Sequence, residues 1–92
     1  MLYDPRLAPE KHWAEEWKRA LQDLEPALKV RRNYPYLGVA DGFVTHLRKV
    51  FDESHYLGIE LEVNQKWPLG DHKDWLHLRD VLRRSLALSL GA

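Results

Sequence analysis

The sequence predicts an α/β fold with its elements in the order α-β-α-β-α. Three segments carry apolar side chains at helical spacing, and two short segments, residues 27–33 and 56–63, alternate apolar with polar or charged side chains as strands do. Such an order is typical of folds in which helices cover a mainly parallel sheet. Two short strands are too few for that sheet, so we expect either a neighbouring chain to supply the others or this chain to be part of a larger domain.

The first helix is predicted over residues 9–25, and the first strand follows it. Apolar side chains recur at helical spacing at Trp13, Trp17, Ala20, Leu21 and Leu24. Pro9 suits the first turn of this helix, and Pro26 ends it. Residues 27–33 then alternate apolar and basic side chains, which predicts a strand that runs into an aromatic turn.

Two further helices are predicted, each with an aspartate as its N-cap. Asp41 precedes the second, whose apolar residues are Phe43, Val44, Leu47, Val50 and Phe51. Asp71 precedes the closing helix, whose apolar residues are Trp75, Leu78, Leu82, Leu86 and Leu90. Residues 66–70, just before Asp71, are predicted to form a loop.

The second strand, residues 56–63, presents two acids on one face. Glu60, Glu62 and the following Asn64 alternate with apolar residues, so their acceptor groups would be spaced about 7 Å apart along the strand. Acids on an edge strand are often merely solvated. A row of two carboxylates and an amide nevertheless indicates a candidate site.

Composition narrows the possible functions. At 92 residues the chain is one domain at most, and its 14 basic and 14 acidic residues cancel, so we expect neither nucleic acid nor a membrane as partner. The lack of cysteine excludes disulfides, thiol nucleophiles and cysteine metal sites. We find no signal peptide and expect a cytoplasmic location.

Four blocks of sequence, taken in order, resemble the N-formylglutamate amidohydrolase family. They are Leu-Tyr-Asp-Pro-Arg at 2–6, Val-Arg-Arg-Asn-Tyr-Pro-Tyr-Leu-Gly at 30–38, Asp-Gly at 41–42 with Leu-Arg at 47–48, and Tyr-Leu-Gly-Ile-Glu-Leu-Glu-Val-Asn-Gln at 56–65. The resemblance spans essentially the whole chain but only the C-terminal part of the family's domain. It implies a portion of a three-layer α/β/α fold of the zinc-exopeptidase-like (phosphorylase/hydrolase-like) kind.

The resemblance also implies an activity, which is hydrolysis of the amide bond of an N-acyl amino acid at a metal-bound water. Zinc is implied as the cofactor, but the family's zinc-binding residues lie in an upstream half that has no counterpart here. We therefore expect a truncated domain, inactive alone, that would need a missing N-terminal half as partner.

The general base implied by the resemblance is Glu62, within the Glu-Val-Asn motif. Glu60, on the same face, is expected to orient a ligand or to tune the base by like-charge repulsion, and Asn64 is assigned to substrate binding.

Candidate clamps for the substrate's carboxylate are Arg31, Arg32 and Arg48, because a guanidinium grips a carboxylate through two parallel hydrogen bonds. Arg48 could equally be a solvated helix residue. Asn33 and Tyr36 are expected to line the pocket, although an Asn-x-Pro turn also has a purely structural explanation.

No histidine is predicted to bind a metal. His12, His46, His55, His72 and His77 lack the i, i+4 spacing and the neighbouring acid of helical zinc motifs. The alternative to a hydrolase is a small non-catalytic α/β module that buries its exposed faces by self-association, and that alternative predicts a homodimer.

Overall fold

The computed structural model describes residues 1–34, 42–52 and 56–91, and these residues are all-α. They form α1 (Ala8–Leu24), α2 (Gly42–Val50), α3 (Lys66–Leu69) and α4 (His72–Ser89). Helix accounts for 59% of them, and they contain no strand and no sheet. The predicted α/β class, and with it the three-layer α/β/α portion, is therefore wrong for the described part of the chain.

The described part of the chain gives the two predicted strands no partner of sufficient length. Within the described residues the only β pairing is one isolated antiparallel bridge. In it, the N–H of Leu2 donates to the carbonyl of Glu60 over 2.8 Å, and the N–H of Glu60 donates to the carbonyl of Leu2 over 2.9 Å. Alternation gives a segment two distinct faces, but a strand also needs a neighbour that satisfies its N–H and C=O groups along its length. The bridge at Leu2 does this for one residue.

The first predicted helix is confirmed, since residues 9–25 were expected and α1 spans Ala8–Leu24. Pro9 lies in its first turn, where a missing N–H costs nothing. Ala14, Trp17 and Leu21 are buried and lie on one face of the helix.

The remaining helices were predicted from the sequence, except for α3. The Asp71 carboxylate caps α4, because it accepts from the N–H groups of Lys73 at 2.8 Å and Asp74 at 3.3 Å. The second predicted helix is found as α2, whereas its expected cap, Asp41, lies outside the described residues. α3 was expected to be a loop. None of the described helices is both long and apolar enough to cross a membrane.

The chain divides into two compact units. Unit 1 comprises Met1–Glu15 and Arg31–Glu62, and unit 2 comprises Glu16–Val30 and Val63–Ala92. Among the described residues of unit 1, the buried hydrophobic side chains are those of Met1, Leu2, Tyr3 and Ala14.

Unit 2 has its own core, which includes Trp17, Leu21, Leu78 and Val81. Ser85 is a buried polar residue of this unit. The hydroxyl of Ser85 accepts from the indole N–H of Trp17 at 2.9 Å and donates to the carbonyl of Leu82 at 2.9 Å. A Trp side chain is thus buried in unit 2 without losing its hydrogen bond.

Candidate carboxylate-binding site

The candidate site of unit 1 is built around the carboxylate of Glu10, in the first turn of α1. The residue is 0% exposed. Glu10 lies four residues before Ala14, on the same buried face of the helix. A negative charge is favoured near a helix N-terminus, but a carboxylate this deeply buried also needs direct hydrogen-bond donors.

Four N–H groups supply those hydrogen bonds, two to each carboxylate oxygen. Oε2 accepts from Nε of Arg48 at 2.8 Å and from the backbone N–H of Gly58 at 3.1 Å. Oε1 accepts from Nη2 of Arg48 at 2.8 Å and from the backbone N–H of Asp4 at 2.9 Å. Arg48 therefore binds the carboxylate through two parallel charge-assisted bonds.

The guanidinium of Arg48 is itself well shielded. Its side chain is 9% exposed, and its Nη2 also donates to the carbonyl of Gly58 at 2.8 Å. Burial lowers the pKa of Arg48, but hydrogen bonds and charge attraction from Glu10 outweigh that effect and leave the pKa above its ordinary value. The pair is ionic, and its two charges lie largely out of solvent.

The backbone of Gly58 is hydrogen-bonded to both Glu10 and Arg48. This close approach leaves no room for a side chain at Gly58. A Cβ atom there would overlap Cγ1 of Val44 and would lie 3.2 Å from the ring of Tyr56. The Gly-Ile-Glu segment therefore contributes a backbone N–H and a carbonyl to the site.

Asp4, whose backbone N–H donates to Glu10, carries a second buried carboxylate six residues earlier in the chain. Its Oδ1 accepts from the backbone N–H and the Nε of Arg6 at 2.9 and 3.0 Å, and its Oδ2 accepts from Nη2 of Arg6 at 3.0 Å. The side-chain hydrogen bond from Arg6 lowers the pKa of Asp4, against the opposing effect of burial. Asp4 is therefore a carboxylate at neutral pH.

Arg48 is the one predicted clamp that contacts a carboxylate within this site. The carbonyl of Arg31 accepts from the Met1 amino group at 2.9 Å, and its guanidinium lies 4.5 Å from the centroid of the Tyr34 ring. Nη1 of Arg32 donates to Oε1 of Glu15 at 3.0 Å.

Asn33 has a structural role in unit 1. Its φ of 52° lies in the left-handed region, which asparagine tolerates better than most residues. Its Oδ1 accepts from the N–H of Tyr3 at 3.0 Å, and its own N–H donates to the carbonyl of Met1 at 2.8 Å. Tyr36, the other predicted pocket residue, lies outside the described residues.

The predicted row of acceptors is divided in the structure. Glu60 is half-buried and bridges to Leu2 through its backbone, whereas Glu62 is exposed. Burial lowers the pKa of the Met1 amino group, and the charge of Glu62 partly offsets this. Asn64 belongs to unit 2, where its Oδ1 accepts from the N–H of Lys66 at 2.9 Å.

The zinc that the resemblance implies has no fitting ligand set in the described part of the chain. There, no three His, Cys, Asp or Glu side chains are grouped so that they could hold a metal ion. His77, in unit 2, pairs instead with Glu25, with 2.9 Å between Nε2 and Oε2.

Comparison with known proteins finds no matching family model, no matching curated protein and no matching solved structure.

Sequence reasoning missed Glu10 and Asp4. The available signal for Glu10 was its register with Ala14, Trp17 and Leu21, at i+4, i+7 and i+11, which places an acid on the buried face of α1. A charge on such a face requires a partner.

Proposed function

We propose that the chain is the C-terminal part of an N-formylglutamate amidohydrolase-like hydrolase that acts on the amide bonds of N-acyl amino acids, and that it is inactive alone. The observation that carries this proposal is the guanidinium of Arg48, which holds the carboxylate of Glu10 through two 2.8 Å hydrogen bonds. N-acyl amino acids present such a carboxylate. The expected cytoplasmic location belongs to the same proposal and is tested by cell fractionation.

Each residue has a defined role in this proposal. Arg48 and the N–H of Gly58, which hold the Glu10 carboxylate in the free chain, bind the substrate's carboxylate in its place. Glu62, which is exposed in unit 1, is the general base that takes a proton from the attacking water and passes it to the leaving amine. No zinc ligand is assigned to this chain, and the α/β fold that the resemblance implied forms no part of the proposal.

Complementation tests this function. The chain is co-expressed with a polypeptide that carries the family's zinc-binding half, and release of formate or another acyl group from N-acyl amino acids is measured with zinc present. We expect no release by the chain alone and measurable release by the mixture.

The matched variants are Glu62→Gln and Glu60→Gln, which change acids two residues apart. Loss of a general base lowers the rate by about 10²–10⁴-fold, so Glu62→Gln should abolish most of the activity while Glu60→Gln retains it. Equal tolerance of the two variants would contradict the role of Glu62.

A second candidate function, self-association as a homodimer, is favoured by α2. Phe43, Leu47 and Val50 lie on one face of this helix, and no residue of α2, all of which are described, is fully buried. Phe43 is 72% exposed. A second copy of the chain would cover this face by packing the same surface against itself.

Light scattering after size exclusion tests that alternative. It predicts a concentration-dependent dimer that Phe43→Ser disrupts, whereas Leu69→Ser, at a residue of α3 that is 79% exposed, leaves the dimer intact. A monomer of 10.9 kDa at every concentration would contradict it.

A further inference from the structure

The donors around the Glu10 carboxylate come from other parts of unit 1. Arg48 lies in α2, Asp4 precedes α1, and Gly58 lies in the segment that follows α2. Their four N–H groups converge on a single planar carboxylate, with donor–acceptor distances of 2.8, 2.8, 2.9 and 3.1 Å. The arrangement has the form of a ligand site whose ligand is a side chain of the same protein.

We propose that these four donors form a binding site for a small carboxylate anion and that Glu10 is its internal occupant, which keeps such a ligand out. This inference rests on the proposed function, because it concerns the same Arg48 clamp. It adds that the clamp is closed in the free chain and that removal of the Glu10 carboxylate opens it.

The donor pattern selects a carboxylate over a neutral isostere. Each carboxylate oxygen accepts two hydrogen bonds here, so every position around the ligand calls for an acceptor. A primary amide of the same shape offers one oxygen, and its NH₂ group would face two N–H donors. Acetate is therefore expected to bind and acetamide is not.

The size of the ligand follows from the side chain it replaces. Glu10→Ala removes Cγ, Cδ and both oxygens, which correspond to the heavy atoms of acetate. Because the Glu10 side chain is fully buried, the substitution leaves a cavity lined by the charged Arg48 guanidinium. Acetate restores both the lost volume and the lost charge.

The test measures thermal unfolding of the full chain carrying Glu10→Ala by far-UV circular dichroism during an acetate titration. Binding to the folded state alone raises the folding equilibrium constant by a factor of 1 + [L]/Kd, about 11-fold when acetate is at about ten times its Kd. Sodium chloride at equal ionic strength and acetamide are the reference solutes. A saturable increase in the melting temperature with acetate only is the expected result.

Two further variants separate site binding from a general salt effect. Glu10→Gln fills the cavity with a neutral side chain, and Glu10→Ala/Arg48→Met removes the principal donor, so neither should respond to acetate beyond its response to chloride. An equal response of all three variants would overturn the proposal.

The test holds even if Glu10→Ala is unfolded in buffer, because acetate must then restore the helical signal. Failure to do so also overturns the proposal. The outcome is independent of the hydrolase assay. If Glu10→Ala binds acetate but the complemented mixture shows no hydrolysis, the carboxylate site stands and the hydrolase function fails. If the mixture shows hydrolysis that depends on Glu62 but Glu10→Ala does not bind acetate, only the role of Glu10 as occupant fails.

Discussion

Replacing Arg48 by methionine tests how strongly the buried ion pair stabilises unit 1. Methionine keeps an unbranched apolar stem but removes two hydrogen bonds to Glu10 and one to the carbonyl of Gly58. The Glu10 side chain, 0% exposed, would be left with the backbone N–H groups of Asp4 and Gly58 as its donors. Removal of one partner from a buried pair costs about 3–5 kcal/mol. The total free energy of unfolding of a small domain is about 5–15 kcal/mol, so this cost would be a large part of the stability.

Urea denaturation followed by circular dichroism measures this loss. With an m value of about 1 kcal/mol/M, the midpoint should fall by about 3–5 M, or the variant should be unfolded in buffer. The matched control is Arg83→Met in α4. Nη2 of Arg83 lies 2.8 Å from Oδ1 of Asp80, the same distance as in the buried pair, but the two side chains are 73% and 45% exposed. An exposed pair contributes about 0–1 kcal/mol.

A double-mutant cycle isolates the interaction itself. Glu10→Met/Arg48→Met removes both charges, and its cost should be smaller than the sum of the two single variants by about 1–3 kcal/mol. If Arg48→Met is no more destabilising than Arg83→Met, the buried pair does not stabilise unit 1 as argued.

Three further predictions concern Gly58, Asp71 and Asp4. Gly58→Ala should destabilise the fold by about 1–3 kcal/mol, because the new Cβ would overlap the side chain of Val44. Adding Val44→Ala to that variant should recover part of the lost stability, as measured by urea titration. If it recovers none, the overlap is not the cause. Asp71→Ala should lower the free energy of unfolding by about 1 kcal/mol, because it removes the side-chain cap of α4. The melting temperature should fall in Asp71→Ala and stay close to the parent value in Asp71→Asn, which can still cap the helix. Equal effects of the two changes would argue against capping. The pKa of Asp4 lies below its ordinary value of 3.8, so its stabilisation is complete above that pH and is lost as the pH falls further. Asp4→Asn should therefore be less stable than the parent at neutral pH, with a difference that disappears in acid, and a difference independent of pH would contradict the pairing with Arg6.

The helices were predictable because their signals are local. The N-cap at Asp71 and the position of Pro9 in the first turn of α1 involve residues within a few positions of each other. Strand pairing has no such local signal. Residues 56–63 have the right alternation, but only a partner elsewhere in the chain could make them a strand, and the described residues provide one bridge, at Leu2.

The candidate site was predictable only in part, for the same reason. A guanidinium that binds the substrate's carboxylate was expected, with Arg48 as one of three candidates, whereas the carboxylate that Arg48 holds here is that of Glu10. Its partner could not be identified, because Glu10 is 38 residues away in the chain and carries no motif. The register of Glu10 with the buried Ala14 and Trp17 indicates that it faces inward, but it does not identify the donor that pairs with it.

The most direct test of the account is an NMR measurement on the Nε–H group of Arg48. If Glu10 occupies the clamp, this proton gives a resolved signal that exchanges slowly with water, and Nε shows a scalar coupling across the 2.8 Å hydrogen bond to the carboxylate carbon of Glu10. In Glu10→Ala, which lacks that carbon and both oxygens, the coupling should disappear. A rapidly exchanging Nε–H in the parent chain, similar to that of the exposed Arg83, would contradict the claim that Glu10 closes the site.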